Sequence, residues 1–416
     1  MIQIRKHNVE IKCHIHIAGS KSLNNRLLLL KQVLQSDTVL MNNSESDDTL
    51  YLKQALDQIL PFGSANINVH HAGTTMRFLT AYLSAIPGEW TITGSDRMLE
   101  RPIAELVNAL KQLGADISYQ NKEGFPPLKI KGKSLTQSKC SINTSISSQY
   151  ISALLLISPL LKNGLELELI GEQVSKPYIQ MTLALLRDFG VEVMSQENKI
   201  CIQTKQTTND VPSQYFVESD WSSASYWYSI CALSSNAEIE LSTFFANSLQ
   251  ADSVMKDIML EFGVQTNAHQ NKVSLKSIPT HIKKFEYNFL SCPDLAQTMA
   301  AMCVALGIEG HLSGLSTLKL KETDRLLALK IELEKFGAQV IADEESLHIY
   351  PKSPASWADL SFNINTYNDH RMALSFAPLA LLCKSITFDS SEVINKSYAH
   401  FWEDLKSAGF SVNLTP

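Results

Sequence analysis

No stretch of this 416-residue sequence is apolar for the roughly 20 residues needed to span a bilayer. The longest apolar runs, residues 150–161 and 372–383, read as buried helices instead. A basic surplus is missing too: 36 Lys and Arg against 42 Asp and Glu leave a net charge of −6. Nucleic-acid binders ordinarily carry a basic surface, so any anion site here must be local. Seven cysteines (Cys13, Cys140, Cys201, Cys231, Cys292, Cys303 and Cys383) are present, but no CxxC pair, which signals neither a disulfide framework nor a zinc site. His70 beside His71 has no further ligand spacing, so no metal is expected. The opening MIQIRKHNVEIKCHIHI lacks the apolar core and cleavage site of a secretory signal, and a cytoplasmic location is expected.

What is present is the ordinary balance of a folded globular chain, 44% hydrophobic and 19% charged, with length for two domains. Five times an amphipathic helix ends at a glycine and an alternating strand follows: LVNALKQLGADISYQ, MTLALLRDFGVEVMSQ, VMKDIMLEFGVQTNAH, LKIELEKFGAQVIAD and FWEDLKSAGFSVNL. The landmarks Gly114, Gly190, Gly263, Gly337 and Gly409 are 76, 73, 74 and 72 residues apart. Glycine can adopt the left-handed conformation that closes a helix and turns the chain into a strand. Near-constant spacing implies internal repetition. A sixth, irregular unit is expected near the N-terminus, with Gly63 as its landmark, giving three units per domain.

Several helix starts carry polar or basic residues, and free N–H groups at helix N-termini receive phosphates and carboxylates. In AGSKSLNNRLLLL, a helix from about Ser20 puts Ser22 and Arg26 on one face and Lys21 at its positive end; a capped surface helix would read the same way. HAGTTMRFL sets Gly73 and Arg77 in a turn opening a helix, suited to an anion. GSDRMLERPI supplies Arg97 and Arg101, one of which could pair with Glu100 or Glu105. Ser147, Ser148 and Gln149 precede a buried helix, where they could bind a polyhydroxylated ring or cap the helix, and Ser175 and Tyr178 share that ambiguity. Lys321, Glu322 and Arg325 of KETDR fall on one helical face, the pattern also of an exposed salt-bridged helix. The run Asn368 to Arg371 leads into a strongly apolar helix, which favours a cleft.

SKSLNNR, AGTTMR, RMLERPI, SSQY, SKPYI, KETDR and NDHRMA, in this order from about residue 18 to about 405, resemble the 5-enolpyruvylshikimate-3-phosphate synthase family of enolpyruvyl transferases. The resemblance implies an α/β fold of two similar domains, each of three βαβαββ units in an inside-out α/β barrel, with an active-site cleft between them. It implies a discontinuous C-terminal lobe of residues 1–19 and 218–416, an N-terminal lobe of residues 20–217, and closure of the two over the substrates. The implied reaction moves the enolpyruvyl group of phosphoenolpyruvate to shikimate 3-phosphate, without metal or cofactor, in a monomer that binds neither nucleic acid nor membrane. Carried over by position, Lys21, Gly73, Arg97, Gln149, Arg325, Arg371 and Lys396 would hold phosphoenolpyruvate. Lys21, Ser22, Arg26, Ser147, Ser148, Gln149, Ser175, Asp294 and Lys321 would hold shikimate 3-phosphate. Asp294, Glu322 and Lys21 would be catalytic, although an N-cap for Asp294 and an ion pair with Arg325 for Glu322 are the simpler readings. This sequence departs from the family pattern at Ala18, His71, Phe78, Thr317 and Ala399. A UDP-N-acetylglucosamine enolpyruvyl transferase is disfavoured, because no cysteine occurs between Cys13 and Cys140 to supply that relative's loop thiol.

Overall fold

A computed structural model describes residues 1–6, 10–60, 62–206, 211–353 and 356–414. The chain forms two compact units, one of Met1–Gly19 with Glu218–Pro416 and the other of Ser20–Val217. Part of the opening MIQIRKHNVEIKCHIHI, residues 7–9, lies outside the described residues.

The first unit holds three four-stranded sheets built to one plan: strand, inner helix, strand, outer helix, then an antiparallel hairpin. Lys284–Asn288, Ala296–Leu306, Glu309–Ser313, Arg325–Glu334, Gln339–Ala342 and Leu347–Tyr350 are one complete copy. In the other two, a strand is supplied from far away in sequence. Glu10–His16 pairs in parallel with Asn236–Ser242, and Ile2–Lys6 pairs antiparallel with Phe410–Leu414 and Ser385–Phe388.

The unit Ser20–Val217 has two four-stranded sheets of the same plan and one two-stranded sheet, in which Gln214–Phe216 pairs in parallel with Val39–Met41. This is the irregular sixth repeat, and its helix Asp47–Gln58 is followed by no hairpin of its own. The strand after Gly63, Ser64–Asn68, opens the next sheet instead. Gly63 is therefore not equivalent to the other landmarks: the five have φ between 75° and 96°, whereas here Phe62 takes the left-handed turn at φ 59°.

Two kinds of helix explain the packing. Outer helices such as Ala104–Gln112 are apolar on one side only. Inner helices are buried on most sides, and all but Lys21–Leu34, which buries Asn24, Asn25 and Arg26, are largely apolar. Trp221–Leu233, Ala296–Leu306 and His370–Phe376 are inner in the first unit, and Lys21–Leu34, Gly73–Ala85 and Ser148–Ile157 in the second. Within each unit the three inner helices pack on one another. With their sides buried, their starts are where polar side chains can gather. No described helix is long and apolar enough to cross a membrane.

Candidate active site

In the unit containing the chain termini, the starts of the three inner helices meet in a network of buried charge. Asp369 caps His370–Phe376 by accepting from Arg371 N at 3.0 Å. Its carboxylate also takes Arg325 Nε at 2.7 Å and Nη2 at 3.3 Å. Arg325, 1% exposed, further reaches Asp294 Oδ1 at 3.2 Å and Glu322 Oε2 at 2.9 Å. Burial works against its charge, but Asp369, Glu322 and Asp294 outweigh that and raise its pKa above the ordinary value. Arg371 Nη2 lies 3.0 Å from Asp294 Oδ2, and its Nη1 donates to Tyr226 OH at 3.3 Å. Lys396 Nζ, also buried, sits 2.8 Å from Glu322 Oε1. Three cations are thus held by three carboxylates, each on a different part of the chain.

The sequence places Lys321, Glu322 and Arg325 on one helical face, and the structure corrects this. Asp324 accepts from Leu327 N at 3.1 Å, so the helix begins at Arg325. Lys321 and Glu322 lie just before it, and Glu322 meets both Arg325 and Lys396 from that turn. Asp294 lies in the short turn Pro293–Leu295, where its carboxylate bridges Arg325 and Arg371.

In the unit Ser20–Val217, Arg26 is 2% exposed. It donates to Thr182 Oγ1 at 2.8 Å, Ser152 Oγ at 3.0 Å and the carbonyls of Ser22 at 2.8 Å and Tyr178 at 3.5 Å. None of these acceptors is a carboxylate. Burial pulls its pKa down to about 10, since neutral acceptors only partly replace water around the charge. The Phe78 ring lies 5.6 Å from the Arg26 guanidinium carbon, within cation–π range.

Gly73 is the first residue of Gly73–Ala85 and is packed against Arg101: a Cβ there would stand 2.6 Å from Arg101 Nη1. Arg77 braces the same turn by donating to Gly73 O at 3.1 Å and Pro102 O at 3.2 Å. Of the two arginines in GSDRMLERPI, Arg97 is exposed and pairs with Glu100 at 3.0 Å, while Arg101 is buried beside Gly73. Gln149 reaches Thr74 Oγ1 at 3.2 Å, joining two helix starts, and Ser147 caps its helix by accepting from Gln149 N. Ser148 is buried in that first turn. Ser175 precedes Lys176–Asp188 in a left-handed conformation, φ 54°, and its hydroxyl makes no capping bond. Lys21 opens its helix half-exposed.

Sequence reasoning missed Ser152, Thr182, Asp369, Tyr226 and Ser222 as parts of these networks. Ser152 stands four residues after Ser148 and Thr182 four after Tyr178, so helical spacing from the quoted motifs was the available signal. Tyr226 and Ser222 share a face of Trp221–Leu233 by the same rule, and both meet Arg371. Among the described residues, no three His, Cys, Asp or Glu side chains group as a metal site.

Residues 60–405 match the family of EPSP synthase (3-phosphoshikimate 1-carboxyvinyltransferase). A 3-phosphoshikimate 1-carboxyvinyltransferase of Bacteroides fragilis (strain YCH46) is 44% identical over 411 residues, covering 97% of each chain. One of Haemophilus influenzae (strain PittGG) is 35% identical over 94% of this chain and 95% of its own. Among solved structures, an EPSP synthase from Acinetobacter baumannii has the same fold, with a TM-score of 0.77 at 21% identity over 99% of both chains. An enolpyruvyl transferase from Streptomyces tendae superposes with a TM-score of 0.72 at 12% identity, over 100% of this chain and 99% of its own. On the matched span and these identities, the chain belongs to the EPSP synthase (3-phosphoshikimate 1-carboxyvinyltransferase) family.

Proposed function

We propose that this chain transfers the enolpyruvyl group of phosphoenolpyruvate to the 5-hydroxyl of shikimate 3-phosphate, releasing phosphate. The reaction belongs to the shikimate pathway leading to aromatic amino acids, and a cytoplasmic, monomeric enzyme fits it. The observation that carries the reading is the buried network in which Arg325, Arg371 and Lys396 pair with Asp369 and with the two carboxyl groups of Asp294 and Glu322. Both substrates are multiply anionic, so they can take over these cations while the two carboxyl groups turn to proton transfer.

In the addition step the ring hydroxyl attacks C2 of phosphoenolpyruvate, Asp294 accepts the hydroxyl proton, and Glu322 protonates C3 to a methyl group. In the elimination step Glu322 recovers a proton from that methyl group as the C2–O bond to phosphate breaks, and Asp294 gives the hydroxyl proton to the departing phosphate, which restores both carboxyl groups. Each transfer contributes on the order of 10² to 10⁴-fold. Arg325, Arg371 and Lys396 take the phosphate and carboxylate of the donor, supplying charge that needs no reorganisation during the reaction. Lys21 contacts both substrates and shares the base role, and Gln149 contacts the donor.

On the side of Ser20–Val217, Arg26 is assigned to shikimate 3-phosphate, supported by its buried charge among neutral acceptors. Ser22, Ser147, Ser148, Gln149 and Ser175 are assigned to the same substrate, as are Asp294 and Lys321. For the arginine beside Gly73, the assignment moves from Arg97 to Arg101. Arg101 is the one buried against the helix start, whereas Arg97 is occupied at the surface by Glu100.

Phosphate release with phosphoenolpyruvate and shikimate 3-phosphate, run beside UDP-N-acetylglucosamine as the acceptor, tests the reading. Release with the first acceptor alone is expected, and release only with the second would overturn it. Glu322→Gln is expected to keep shikimate 3-phosphate binding while turnover falls by roughly 10² or more. Near-normal turnover would take Glu322 out of its role.

A further inference from the structure

Asp252 has no part in the roles above. It stands in the short turn Ala251–Val254 and is 3% exposed. Its Oδ2 accepts the Ser222 hydroxyl, while its Oδ1 is buried with no hydrogen-bond partner among the described residues. Ser222 Oγ in turn accepts from Arg371 Nη2 at 3.3 Å, and that same nitrogen lies 3.0 Å from Asp294 Oδ2. Arg371 is therefore shared between two carboxyl groups, one touching it and one reached through a hydroxyl.

The groups facing Asp252 come from several elements. Asp294 and Asp220 oppose its ionisation, Arg371 favours it, and the Cys292 thiol lies within electrostatic reach. A buried carboxylate oxygen without a donor is costly when charged, and the neutral acid avoids that cost. Burial first, and then the charge of Asp294, push the Asp252 carboxyl up to about 7.

We propose that Asp252 is a positioning residue that orients Arg371 through Ser222 and, by holding or releasing one proton, sets how much of the Arg371 charge is free for the anionic donor substrate. The proposal rests on the assignment of Arg371 to phosphoenolpyruvate. With Asp252 neutral, Arg371 answers one carboxylate, Asp294, and keeps charge for the donor. With Asp252 ionised it answers two, and a third anion binds less well. The proton exchanges with solvent, and no covalent step is involved.

The test is the KM for phosphoenolpyruvate at saturating shikimate 3-phosphate from pH 6 to 8, in wild type, Asp252→Asn and Ser222→Ala. Taking the ratio of wild type to variant cancels the titration of the substrates themselves. The wild-type KM is expected to rise about 3- to 10-fold relative to Asp252→Asn across this range, with kcat changing less. In Ser222→Ala the hydroxyl that links Asp252 to Arg371 is gone, so the rise is expected to shrink. A ratio that stays flat, with both variants folded, overturns the proposal. If Asp252→Asn fails to fold, a rise of undiminished size in Ser222→Ala overturns it equally. If the wild type releases no phosphate at all, the functional reading has failed by itself. Calorimetric affinity for inorganic phosphate at pH 6 and 8 then replaces KM, with the same relative weakening expected and a flat ratio again overturning the proposal.

Discussion

Gly73→Ala separates a donor-binding role for Arg101 from a merely structural one. The new Cβ would stand 2.6 Å from Arg101 Nη1 and 3.1 Å from both Cζ and Nη2. Ordinary contact begins near 3.4 Å, so the guanidinium must retreat by about 0.8 Å. It can do so, because it is the far end of a flexible side chain. Gly73 opens a helix and does not have positive φ, so alanine fits the backbone. Helix propensity adds up to roughly 1 kcal/mol in its favour. The fold should therefore hold, with the melting temperature unchanged or slightly raised. A binding group misplaced by close to 1 Å can lose about tenfold or more in its contribution. The KM for phosphoenolpyruvate should rise by about that factor, with a smaller change in KM for shikimate 3-phosphate. Steady-state kinetics beside a thermal melt read both quantities. An unchanged KM in a folded variant would refute the placement of Arg101 at the donor, and a large drop in melting temperature would show that the turn cannot absorb the shift.

Asp369→Ala leaves the buried Arg325 without its main partner, and a loss of about 3–5 kcal/mol is expected in denaturant melts; a loss under 1 kcal/mol would contradict the network. Arg26→Met removes a buried charge held by neutral acceptors only, so stability should hold while the KM for shikimate 3-phosphate rises about tenfold or more; a stability loss with unchanged KM would make Arg26 purely structural. Asp252 binds its proton more tightly folded, at about 7, than at its ordinary 3.8, so this group's contribution to stability is full below 3.8 and is lost as pH rises to about 7. Asp252→Asn escapes that loss, so its advantage over wild type should grow by ~1–3 kcal/mol between pH 4 and 7; a constant difference would contradict the raised pKa. Burial raises the thiols of Cys140, Cys231, Cys292 and Cys383 to about 12 and that of Cys13 to about 11, so the half-buried Cys201 should be the first to react with a thiol reagent at pH 8. Peptide mapping after partial labelling checks the order.

Local features were legible in the sequence because short-range physics decides them. The five helix–glycine–strand junctions needed only one amphipathic period, one residue free to take positive φ and one alternating strand, and all five glycines adopt that conformation. The helix that puts Ser22 and Arg26 on one face follows from spacing, and the apolar helix after the polar run Asn368 to Arg371 follows from its composition. The ordered motifs identified the family, because each keeps its charged residues in fixed local spacing.

Partner choice across the chain was left to the tertiary structure. Val39–Met41 finds its neighbour in Gln214–Phe216, far along the chain, so the sixth unit could not be completed from local pattern and Gly63 was misread as its landmark. Arg97 and Arg101 are four residues apart with equal charge, and only packing against Gly73 distinguishes them. Asp252 and Ser222 are unremarkable as letters. They gain meaning because two helix starts bring them to Arg371, where removal from water makes the proton on one carboxyl matter. Residue type and short spacing determine which helices and charges exist, whereas burial and long-range contact decide which of those charges act on one another.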